Sequence, residues 1–206
     1  MNYSHHIIQN FPPSYPWWKK LLANIVFFFG GMIIYDRKNL LNNWDLLRAT
    51  RKLKKGDVVL VGGLRRLTSF VIKGLVTHSL IYVGGRRFVH SVADGVEFAS
   101  LQDIFCEYDT MIILRPTQRD RDTVNKIIDC AKDQVGKPYD YEFENDDKKF
   151  YCTELIRHAY KNAGLNDGIT SKNITLPTEF INDKFRMIFL SHNLKCQNGT
   201  LELRDK

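Results

Sequence analysis

The sequence predicts an α+β domain in which an antiparallel sheet packs against a helix that carries a cysteine nucleophile. Three observations predict it. Short β-type runs alternate along the middle of the chain, among them a run from Ser79 to Ser91 that turns on Gly84-Gly85. Apolar residues recur at helical spacing in Asp120–Gln134 and again in Leu155, Ile156, Ala159 and Tyr160. The turn between two of the strands is short, which favours antiparallel pairing over crossover connections.

Taken in order from residue 51, the pattern gives a strand at Asp57–Val61, a short helix near Leu64–Val76 and the hairpin Ser79–Ser91. A strand at Val96–Ala99, a turn of helix at Leu101–Phe105 and a strand at Met111–Arg115 follow. The Asp120–Gln134 helix, a helix from Cys152 to Tyr160 and a strand near Met187–Leu190 complete the domain.

Cys152 stands where the acidic, turn-forming run Glu144-Asn145-Asp146-Asp147 gives way to the helical pattern, so it belongs to a helix's first turn. Free backbone N–H groups and the positive end of the helix dipole favour a thiolate there, and the expectation is a lowered thiol pKa. A base must still accept the proton. His78, at the start of the Thr77-His78-Ser79-Leu80 run, is the candidate, because a strand holds an imidazole rigidly. His158 shares the Cys152 helix but, six residues on, projects about 240° around its axis and is not the base.

Three motifs support this pairing: Gly56-Asp57-Val58-Val59-Leu60 before the histidine, Gly136-Lys137-Pro138-Tyr139-Asp140-Tyr141 before the cysteine, and Tyr151-Cys152-Thr153-Glu154-Leu155 around it. In order and spacing they resemble the YiiX/YebB-like group of permuted NlpC-type papain-like cysteine hydrolases. The resemblance covers roughly residues 51–180. It implies a circularly permuted papain-like fold, with histidine before cysteine, and cleavage of an amide or ester through Cys152.

The third polar group departs from that pattern. YiiX-like proteins usually carry an acid at the end of the second hairpin strand, whereas this chain has His90; a His–His–Cys set resembles the related lecithin:retinol acyltransferase-like proteins. Strand parity tests its reach. A two-residue Gly84-Gly85 turn would set His90 opposite Ser79, facing away from His78. A three-residue Gly84-Gly85-Arg86 loop sets Leu80 opposite His90 and brings the two histidines onto one face, where His90 can hold the His78 tautomer. Tyr139, in the turn before the cysteine, is a candidate oxyanion or substrate contact, the alternative being a packing tyrosine. Asp140 is expected to hold that turn through backbone hydrogen bonds.

Composition agrees with a single catalytic domain plus an appendage. The chain has 206 residues and four cysteines, Cys106, Cys130, Cys152 and Cys196, without CxxC or metal-ligand spacing; neither a zinc site nor a disulfide framework is indicated, and no cofactor is implied. Residues 1–50 read as an N-terminal extension, and 51–206 as the catalytic domain. Within the extension, Trp17-Trp18-Lys19-Lys20 precedes an apolar run from Leu21 to Tyr35, so residues 17–35 form a membrane-seeking segment. The run is short for a span, and three placements stay open: a tilted span, an in-plane anchor, or a helix packed on the domain. The basic stretch that follows, with Arg37, Lys38, Arg48, Arg51, Lys52, Lys54 and Lys55, would set the catalytic domain on the cytoplasmic side of a membrane it spans. A net charge of +7, concentrated beside the apolar run, points to anionic lipid rather than nucleic acid.

The residues therefore suggest a thiol hydrolase or acyltransferase with Cys152 as nucleophile, His78 as base and His90 as its support. A lipid-like acyl substrate is favoured. A peptidase or amidase acting on cell-wall or other peptides is the alternative, and a catalytically silent, membrane-tethered binding module is a third reading. Oligomeric state is not indicated.

Overall fold

The computed structural model describes residues 7–30, 41–63, 74–144, 147–170, 174–197 and 200–204. Two helices, α1 (Trp17–Gly30) and α2 (Asn43–Lys52), precede a strand β1 (Val58–Gly62). Then come β2 (His78–Gly84), β3 (Arg87–Val92), β4 (Gly95–Ser100), α3 (Leu101–Glu107) and β5 (Thr110–Pro116). The chain continues through α4 (Arg121–Asp133), α5 (Cys152–Asn162), a 3-10 turn (Pro177–Phe180), β6 (Phe185–Leu190) and a small hairpin of β7 (Leu194–Gln197) and β8 (Thr200–Leu203).

The main sheet has the order β4-β3-β2-β1-β5-β6, and its neighbouring strands all pair antiparallel. β1 lies inside it and is wholly buried, because both faces are covered. On one face, Val58, Leu60, Ile81 and Val89 meet Ile127, Ile128 and Ala131 of α4 and Leu155, Ile156 and Ala159 of α5. On the other, Val59, Val61, Leu80 and Phe88 meet Ala49 of α2 and Leu101 and Ile104 of α3. The period-2 alternation of the strands thus feeds two apolar layers.

Local chemistry fixes the helices. Asp120 caps α4 by accepting from the Thr123 N–H (2.9 Å), and Asn42 and Asp45 form a reciprocal capping box on α2. In α5, buried Tyr160 donates its hydroxyl proton to the Gly56 carbonyl (2.7 Å), tying the helix to the turn that precedes β1.

The sequence-derived elements match closely, with three differences. The short helix expected near Leu64–Val76 lies mostly outside the described residues, and residues 74–77 are not helical. Helix α2 falls in the stretch read only as basic linker; Ala49 and Leu41 pack under the sheet there. The β7–β8 hairpin was not anticipated.

Candidate active site

The parity of the β2–β3 hairpin decides where its histidines go. Ile81 pairs with Val89 and Tyr82 with Phe88, so the register continues to Leu80 opposite His90, as the histidine pairing requires. The device differs from the expected three-residue loop. Gly84 pairs with Arg87 across a two-residue turn, and an irregularity between Tyr82 and Gly84 adds the extra residue that restores parity. Gly85 and Arg86 both have positive φ, as a type I′ turn demands, and Gly84 has φ +95°.

In consequence His78 Nε2 lies 3.0 Å from His90 Nδ1. His90 is buried, and its other nitrogen, Nε2, faces Glu97 Oε1 at 3.5 Å. Glu97 sits directly opposite His90 in the β3–β4 register. An acid thus stands behind His90, on the next strand rather than at the end of the second. Tyr108 stacks on His78, with rings 5.9 Å apart and 9° from parallel.

The loop before α5 is tied to the same sheet. Lys137 accepts from the Val96 N–H and Gly136 donates to the Val96 carbonyl, both at 2.8 Å. A side chain at Gly95 would collide with the Lys137 carbonyl, 2.2 Å from where its Cβ would stand, so this approach needs glycine. Next, Tyr139 bridges to Phe150, and Ser91 donates its hydroxyl proton to the Phe150 carbonyl. Asp140 accepts from the Glu142 N–H (3.1 Å) and faces Lys149 (3.3 Å), in keeping with a turn-holding role. The Gly136–Tyr141 motif is therefore the strap that carries the chain from the end of α4 across β4 towards the start of α5.

Cys152 is the first residue of α5, with Tyr151 as the cap. Its neighbours include Ser79, whose backbone N–H and hydroxyl both favour the thiolate, together with the amides of Cys152 and Thr153. Even so, the thiol pKa is raised, because burial outweighs those donors. This corrects the expectation of a lowered pKa: the helix terminus is present, but the sulfur is removed from water, and a neutral thiol awaits a base. Ser79 pairs with Leu60 and shares the α5 side of the sheet, while His78 pairs with Val61 on the other. Ser79 and His78 are chain neighbours at the opening of β2, so the leading histidine adjoins in sequence the residue that contacts Cys152. The Ser79 hydroxyl is fully buried and makes no hydrogen bond of good geometry.

Tyr139 holds its proton more tightly than a free phenol, first through burial and then through the charge of Cys152. It bridges to Phe150, two residues before Cys152, and as a protonated phenol it is a hydrogen-bond donor on the segment that leads to the nucleophile. His158 is paired with Asp147 (3.0 Å) and packs on Phe150. Cys130 is half-buried in α4 with its thiol pushed up by burial. Among the described residues, no three His, Cys, Asp or Glu side chains converge as a metal site.

Sequence reasoning missed Glu97 and Ser79. The signal for Glu97 was available: a two-residue Ala93-Asp94 turn puts Gly95 opposite Val92 and hence Glu97 opposite His90. Ser79 could be found only from the contact it makes.

A helix whose first residue is a cysteine, laid against an antiparallel sheet that carries the histidine earlier in the chain, defines a permuted papain-like hydrolase. Residues 52–196 match the family of permuted papain-like amidase enzymes YaeF/YiiX, the C92 peptidases, and the chain belongs to that family of cysteine amidases. Protein OPG091 of Variola virus is 27% identical over 150 residues, covering 68% of this chain and 87% of that protein. The crystal structure of YiiX from Escherichia coli O157:H7, described as a metalloprotein, superposes with a TM-score of 0.58 at 19% identity. It covers 67% of this chain and 97% of that one, and the likeness shows the shared fold.

Proposed function

We propose that the protein cleaves an amide or ester by forming an acyl-thioester on Cys152, with His78 as the base and the His90–Glu97 pair holding it. The observation that carries this reading is the 3.0 Å pairing of His78 Nε2 with His90 Nδ1 beside the residue that contacts Cys152. A neutral imidazole has one donor and one acceptor nitrogen. With the His78 proton on Nε2 and given to His90, Nδ1 is the basic nitrogen, and it takes the Cys152 thiol proton.

The thiolate then attacks the substrate carbonyl carbon, and the carbonyl oxygen becomes an oxyanion. The Cys152 backbone N–H, at the start of the helix, and the Tyr139 hydroxyl are the donors assigned to it. Collapse of the intermediate breaks the carbon–nitrogen or carbon–oxygen bond, and His78 protonates the departing amine or alcohol. Water attacks the thioester with His78 again as base, releasing a carboxylic acid and restoring the thiol. An alcohol or amine in place of water gives acyl transfer.

A lipid-like acyl substrate is the favoured class. The support is the apolar helix α1, whose Phe27 packs against Tyr139 (6.3 Å between centroids) at the edge of the site. The amidase character of the family favours a peptide substrate as the second reading. Incubating the protein and its Cys152→Ala variant with lipid and peptide extracts, then measuring intact and peptide masses, tests both. An acyl mass on Cys152, absent from the variant, is expected; the mass of the adduct names the class. Turnover that survives Cys152→Ala contradicts the assignment.

A further inference from the structure

Helix α1 is amphipathic the wrong way round for a surface helix of a soluble domain. Its polar residues face the protein. Asn24 accepts from the Ile8 N–H (2.6 Å), Lys19 pairs with Glu142 (2.8 Å), and Lys20 lies over the Phe11 ring. Phe27, on the same side, packs edge-on against Tyr139 and Tyr141. Trp18, Leu21, Leu22, Ile25, Val26 and Phe29 point outward, each at least 45% exposed. At about 100° per residue they sweep about 140° of the helix circumference, with no polar side chain among them. The whole helix is about 21 Å long. That is too short to cross a bilayer, and no helix among the described residues is long and apolar enough to do so.

We propose that this face docks in the plane of an anionic lipid surface, with α1 half-immersed and its polar side turned to the domain. An apolar face opposite a polar, protein-bound face is the geometry of an in-plane helix. Trp17 and Trp18 at its first turn are the side chains that settle at the level of lipid head groups. Charge selects the occupant. Two copies of a chain of net charge +7 repel as they approach, whereas the same charge is drawn to anionic lipid. Because Phe27 packs on Tyr139, which bridges to Phe150 two residues before Cys152, the docked face sets the candidate site beside the bilayer. Docking itself does not depend on the catalytic assignment.

The test uses the full chain with vesicles of phosphatidylcholine alone and of phosphatidylcholine mixed with phosphatidylglycerol. The protein co-floats with the anionic vesicles, salt weakens the binding without abolishing it, and Cys152→Ala binds as the parent does. The exposed-face double variant Leu22→Glu/Val26→Glu loses binding by at least about a hundredfold, the combined worth of two buried apolar side chains. A second reading is independent of how that variant folds. In a Trp44→Phe background, the Trp17 and Trp18 fluorescence shifts to the blue on anionic vesicles and is quenched by brominated acyl chains. Three results overturn the proposal: no flotation of the parent, binding that salt abolishes while the double variant leaves it unchanged, or a concentration-dependent dimer that the double variant dissolves in a protein that ignores vesicles.

Discussion

His78 Nε2 and His90 Nδ1 are 3.0 Å apart, so a single proton is shared between β2 and β3 and each ring fixes the tautomer of the other. Glu97 extends the line, facing the remaining nitrogen of His90. Replacing His90 with Ala leaves the His78 ring without its partner, and activity falls on the order of a hundredfold or more. Glu in the same place accepts the same N–H and restores much of the loss. Equal losses in the two variants, by steady-state kinetics, contradict the supporting role.

Glu97 acts from further away and is partly exposed, so its effect is smaller. Glu97→Gln keeps the size of the side chain and an accepting oxygen, so kcat/KM falls less than about tenfold. A loss as large as that of His90→Ala contradicts this smaller role.

Ser79 offers a test in which stability and reactivity move independently. Its hydroxyl opposes the burial that raises the Cys152 thiol, yet makes no hydrogen bond of good geometry. Ser79→Ala therefore pushes the thiol pKa further up and slows alkylation of Cys152 at neutral pH. Thermal stability holds or rises slightly, because a buried hydroxyl without a good partner is lost. A large drop in the melting temperature assigns Ser79 a structural role instead.

Away from the site, Arg115 grips Asp57 through Nε (2.8 Å) and Nη2 (2.7 Å), and the Asp57 side chain is wholly buried. Arg115→Met strands that carboxylate under β1 and costs about 3–5 kcal/mol in denaturant unfolding. A cost below about 1 kcal/mol, as for a surface pair, contradicts this reading.

Much of this was legible in the sequence because hydrophobic period and turn chemistry agree with the final packing. Asp120 marked the start of α4, and the spacing of Leu155, Ile156, Ala159 and Tyr160 marked α5, each by a local rule. The hairpin was legible in parity but not in mechanism, since a bulge at Val83 and a three-residue loop leave the same register. Glu97 lay beyond a second hairpin and needed both registers at once. The thiol pKa was misjudged because a helix terminus is visible in sequence, whereas the burial that outweighs it is a property of the packed site. Helix α2 was hidden by its charges: Arg48, Arg51 and Lys52 masked Leu41 and Ala49, whose apolar contacts hold it.

The central claim is that His78 converts a buried, neutral Cys152 into a nucleophile. It is tested most directly by the pH dependence of iodoacetamide alkylation at Cys152, followed by peptide mass spectrometry in the parent and in His78→Ala. Burial raises the thiol pKa with His78 in place, so the resting thiol is neutral and its alkylation below that pKa depends on a base to take the proton. The account predicts that His78→Ala slows labelling of Cys152 across neutral pH, while Cys106, Cys130 and Cys196 label at the same rates in both proteins. Superimposable Cys152 profiles for the two proteins would contradict it.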